Sequence, residues 1–167
     1  MPIPTNEAEL TQIFKNLGAP SPEAWAGSQV REGMPQLLRF LFLKGAWDTI
    51  PAAEDTTWID EEIDSAAAHP NAPYSGLGQA LSRCRERGVA DEDLAEIARC
   101  LRAQMLYSIG YLMEAPDILP PPLDDVAWGL FQVDDEGRPF GRQIVGLHES
   151  VLELDPTGRE MRPKAAR

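Results

Sequence analysis

Hydrophobic and polar positions along the chain alternate mostly with the period of a helix. In "NEAELTQIFKNLG", Leu10, Ile13, Phe14 and Leu17 recur at i, i+3, i+4 and i+7. Asn6 supplies an N-cap answered by Glu9, and Gly18 supplies the stop. Ser21 followed by Pro22 opens a short second helix that Gly27 should weaken. The run "MPQLLRFLFLKGAW", Met34 to Trp47, contains Arg39 and Lys44 and is too short to span a bilayer core of about 30 Å, so it predicts a buried core helix.

A fourth helix is expected from the Thr56 or Thr57 cap to Pro70, with Ile59, Ile63 and Ala66 or Ala67 on one face. Asp60, Glu61 and Asp64 then point away from that face. Turn residues make "NAPYSG" a loop, Leu77–Arg87 a helix stopped by Gly88, and Asp91 the cap of a long helix to about Met113. Leu94, Ile97, Ala98, Leu101, Met105 and Ile109 form its apolar stripe, and the last two helices should make a hairpin.

The pattern changes after Glu114. "APDILPPPLDD" has four prolines and no helical period, which predicts an extended connector over 115–125. From 126 to 162, β-branched and aromatic runs broken by Asp-Asp-Glu-Gly and Asp-Pro-Thr-Gly predict a small antiparallel β-meander. His148–Leu154 suits either a strand or a short helix, and residues 163–167 read as a mobile basic tail. Trp128, Leu130, Phe131, Val133 and Ile144 are too apolar for a free appendage and should be buried on the helices. The expected fold is therefore mainly α (α+β): an irregular bundle of about five helices over 5–114, with the meander packed on it. One domain over 1–167 is expected, since so short a meander cannot readily supply its own core.

Composition agrees with an ordered chain: 43% of residues are hydrophobic and 25% charged. The net charge of −12 opposes phosphate backbones and anionic headgroups, so neither nucleic acid nor membrane is expected as a partner. The opening residues show no basic leader or apolar segment of signal length, which predicts a cytoplasmic protein. Cys84 and Cys100 lack zinc-site spacing and, in the expected helix hairpin, stand too far apart along the axis for a disulfide.

Catalytic motifs are scarce. There is no G-x-S-x-G elbow, and His69 and His148, the two histidines, read as capping or surface residues. "YSGLGQAL" has glycines but neither a preceding strand nor a following Lys to hold phosphates. No cofactor is implied.

Charge is concentrated between Lys44 and Arg83, where no basic residue occurs and Asp48, Glu54, Asp55, Asp60, Glu61, Glu62 and Asp64 all fall. Trp58 stands beside the last four, and an aromatic anchor among carboxylates is what a protein docking on a basic surface would present. The leading expectation is a non-enzymatic interaction protein, of the inhibitor or immunity type, that uses Trp58, Asp60, Glu61 and Asp64 against a basic protein partner. A second reading is a metal site. Glu61, Glu62 and Asp64 on one helix and Glu92, Asp93 and Glu96 on another resemble the acidic pairs of all-helical nucleoside triphosphate pyrophosphohydrolases, although no Glu follows the first pair at three residues. That resemblance implies a Mg²⁺-dependent phosphohydrolase. A third is a structural or oligomeric subunit without a small-molecule site.

Overall fold

A computed structural model of the protein describes residues 3–114 and 126–163. These form seven helices and two strands: α1 (Glu7–Asn16), α2 (Pro22–Glu32), α3 (Gln36–Trp47), α4 (Thr57–Ala68), α5 (Ser75–Glu86), α6 (Asp91–Leu112), β1 (Leu130–Val133), β2 (Pro139–Ile144) and α7 (Leu147–Ser150). The chain is mainly α with a small antiparallel sheet near its C-terminal end. The connector expected over 115–125 and residues 164–167 of the expected tail lie outside the described residues.

Local chemistry accounts for most helix ends. Asn6 Oδ1 accepts from Glu9 N at 2.8 Å, and Gly18 takes the left-handed conformation after α1. Helix α2 is longer than expected: Gly27 lies inside it, where the Arg31 side chain covers the space a Cβ would take. At α4 neither Thr56 nor Thr57 caps through its own hydroxyl. Asp55 does so instead, accepting from Thr57 N and Oγ1 at 2.9 and 2.6 Å, bonds that hold its carboxyl below the usual carboxylate range.

The described residues divide into two compact units, one of residues up to Trp47 together with those from Met105 onward, the other Asp48–Gln104. In the first, Phe14, Trp25 and Phe40 meet with ring centroids 5.5–5.9 Å apart, and Leu10, Leu43, Leu147 and Val151 of the same unit are buried. Trp47 Nε1 donates to Val151 O at 2.9 Å, joining α3 to the residue after α7.

The hairpin of that unit pairs Leu130 with Ile144 and Val133 with Pro139, with a bulge between. Asp134 organises the turn by accepting from the backbone N–H groups of Glu136 and Arg138. The strand content ends at Ile144, and Leu147–Ser150 is a helix. Of the five apolar residues expected to be buried, Ile144 is fully so and Leu130 half so, while Trp128, Phe131 and Val133 stay substantially exposed. The cause is that β1 alternates, so its Phe131 and Val133 face outward.

In the second unit Ile59, Leu81 and Leu94 form the core, with Trp58, Ile63 and Cys84 packed on it. The expected loop "NAPYSG" ends early, because α5 already begins at Ser75. Gly78 of "YSGLGQAL" serves helix packing: a Cβ there would stand 2.0 Å from Glu62 O of α4. Cys84 and Cys100 are free thiols.

Candidate functional site

Helix α4 turns Ile59 and Ala66 inward and leaves Asp60, Glu61 and Asp64 exposed. Trp58 is not with them on the outside. Its ring packs against the Ile59, Leu81 and Leu94 core and lies 5.7 Å beneath the Arg102 guanidinium. Its Nε1–H is buried without a hydrogen-bond partner among the described residues, so the indole acts as a core residue at the helix edge.

Asp60 is also occupied. Arg85 bonds it at 2.5 Å and grips Asp91 with Nε and Nη2 at 2.8 Å each. This double pairing raises the guanidinium pKa and lowers that of Asp91. Asp91 therefore works as an arginine clamp at the start of α6 rather than as its cap. Glu61 and Asp64 remain as the exposed carboxylates of the expected docking set.

The six carboxylates of the metal reading, Glu61, Glu62, Asp64, Glu92, Asp93 and Glu96, do not converge. Among the described residues no group of three or more His, Cys, Asp or Glu side chains is placed to hold a metal ion. Of the six, Glu92 and Asp93 stand in the first turn of their helix, where negative side chains are favoured by the dipole without a ligand, whereas Glu61, Glu62 and Asp64 lie in the middle of α4.

A polar cluster in the first unit was not evident from motifs. Arg39 is only 7% exposed, lies 5.8 Å over the Trp25 ring, donates to Ser150 Oγ at 2.6 Å and stands 3.6 Å from Glu149. Burial lowers its pKa, and Glu149 and Glu114 oppose that shift. Gly146, at φ +74°, lets the backbone pass where a Cβ would stand 2.5 Å from the guanidinium. Glu114 accepts from Gly146 N and Leu147 N, and its carboxylate is 3.4 Å from His148 Nδ1, with Tyr107 and Tyr111 edge-on to the imidazole. These bonds fasten α7 to α3 and to the end of α6. Ser150 is buried with its oxygen engaged by Arg39, so a substrate would have to break that bond to reach it. One sequence signal was available: Arg39 occupies the inward stripe of α3 along with Gln36, Phe40, Leu43 and Trp47.

Helix α6 reverses the expected burial. Its covered residues include Ala95, Arg99, Ala103 and Leu106, whereas Ile97, Leu101 and Met105 are 55%, 60% and 60% exposed and Ile109 and Leu112 are also open. At 3.6 residues per turn these five exposed residues share about a third of the helix circumference. Of the expected stripe, Leu94 is the fully buried member. Small side chains at Ala95 and Ala103 allow closer approach than a leucine stripe would, and Arg99 reaches the Pro51 carbonyl at 3.1 Å. Among the described residues no helix is long and apolar enough to cross a membrane. Searches against protein-family models, curated proteins and solved structures find no match to this chain.

Proposed function

We propose that the protein is a non-enzymatic interaction protein that docks a partner on the open face of α6. The observation that carries this reading is the exposure of Ile97, Leu101 and Met105, three large apolar side chains one turn apart, on a helix whose covered side is already supplied by Leu94, Ala95, Arg99, Ala103 and Leu106. Surface apolar residues occurring singly need no explanation, but a continuous stripe does. The partner would meet this stripe with its own apolar anchors and carry a basic rim, since the chain's charge of −12 favours positive surfaces on approach. Occlusion of a basic protein, as an inhibitor or immunity-type protein performs it, fits that chemistry. Glu61 and Asp64 would contribute long-range attraction, and Trp58 would contribute none directly.

Affinity capture from a native lysate with wild-type protein and a Leu101→Ser, Met105→Ser variant tests the assignment. A basic protein retained by the wild type and lost by the folded variant supports it. Equal capture by both removes α6 from the interface, and sedimentation of wild type as a stable dimer that the variant breaks would make the occupant a second copy instead. With a partner in hand, Glu61→Ser with Asp64→Ser should slow association by up to about tenfold at low salt, with less effect at physiological ionic strength.

A further inference from the structure

In the first unit, α2, the start of α3, the segment before α1 and the hairpin enclose a groove of about 420 Å³, within the range of small-ligand sites. Its walls are apolar, with Val30, Met34, Leu38 and Phe140 among them, and Leu10 is part of the lining. No described Asp or Glu lines it, although the chain has 27 of them. Four polar side chains stand in the wall, Thr5, Gln29, Gln132 and Arg142, and Gln29 is engaged through its Oε1, which accepts from Leu37 N at 2.8 Å. Arg142 donates from Nη1 to Glu32 O at 3.2 Å, where it closes the C-terminal end of α2, and forms no ion pair among the described residues. By contrast Arg31, Arg85, Arg138 and Arg162 each stand within 4 Å of a carboxylate. Gln132 is half-buried and its amide has no hydrogen bond among the described residues.

We infer that this groove binds a small amphipathic monocarboxylate, its apolar body along Val30, Leu38 and Phe140 and its carboxylate on the Arg142 guanidinium and the Gln132 amide. The charge argument decides the class. An apolar body alone would fit the walls, but an unpaired guanidinium with spare N–H donors, in a lining free of carboxylates, favours an anionic head over a neutral or cationic one. The helix C-terminus at Glu32 uses one donor of Arg142 and leaves the others for the ligand.

Decanoate is the probe, with 1-decanol as its neutral counterpart and backbone amide signals of Val30, Leu38 and Gly141 as the readout. Decanoate should shift these signals saturably, and Arg142→Gln should weaken its binding about tenfold, the factor expected for loss of one charge-assisted contact. Arg142→Lys, which keeps the charge, should retain most of the affinity, separating the head-group role from the role at the end of α2. Val30→Trp changes an exposed position and should fill the groove, abolishing binding while the melting temperature stays near that of the wild type. The inference is overturned if Arg142→Gln binds decanoate as the wild type does, if 1-decanol binds as tightly as decanoate, or if Val30→Trp leaves binding intact. It is likewise overturned if decanoate shifts none of these signals.

Discussion

The two compact units achieve stability by different means. In the unit containing α1, α2 and α3, volume dominates, because Phe14, Trp25 and Phe40 interlock and bulky aliphatic side chains such as Leu10, Leu43 and Leu147 are completely buried. In Asp48–Gln104 the fully buried cluster is Ile59, Leu81 and Leu94, and α4 meets α5 by close backbone approach at Gly78. Arginines supply much of the remaining cohesion there, Arg85 to two carboxylates, Arg99 to Pro51 O and Arg102 to Thr49 O. The difference shows how one acidic chain can close a large apolar core and, beside it in sequence, a small core that depends on polar bonds and on the absence of one methyl group.

Phe40→Ala should break the comparison most severely, since an aromatic deleted from a packed core costs about 3–5 kcal/mol. Chemical denaturation should show that loss, and hydrogen exchange should place it in α1, α2 and α3. Leu81→Ala, at about 2–5 kcal/mol, is the matching deletion in the other unit and should raise exchange in α4 and α5. Gly78→Ala adds only a methyl but drives it against a carbonyl, at a cost of order 1–3 kcal/mol. The same change at Gly45, where no atom lies within 4 Å of the added Cβ, should stabilise or be neutral.

The smallest effect is in acid. Asp91 has its pKa lowered by Arg85, so its contribution is complete above the ordinary carboxylate range and is lost as pH falls through the lowered value. Melting curves between about pH 5 and pH 2 should therefore show Asp91→Asn with a shallower acid decline than the wild type. An identical decline would mean that the Arg85 clamp contributes nothing to stability.

Much of the helical framework was legible because its determinants are local. The Asn6 to Glu9 bond, the Gly18 stop and the Asp-Pro-Thr-Gly turn, closed by Gly158 N to Asp155 O at 2.8 Å, each involve residues within four positions. The candidate surface was less legible, since the period of α6 reported an apolar stripe but not whether another element covers it. Similarly, the acidic run disclosed exposed carboxylates at Glu61 and Asp64, but not that Asp60 is taken by an arginine 25 residues later or that Trp58 turns to the core.

Sequence alone thus determined the existence of the first six helices and most of their ends to within about a turn, the outward position of the α4 carboxylates and the mainly α character of the chain, because caps, turns and side-chain period act over one or two turns. Tertiary structure alone decided which face of α6 is buried, that Arg39 is enclosed with Trp25 and Ser150, that Glu114 holds Gly146 and Leu147, and that Arg142 stands in an apolar groove. Those outcomes depend on partners up to 111 residues away, whose approach is set by packing volume and by the requirement that buried polar groups find hydrogen bonds.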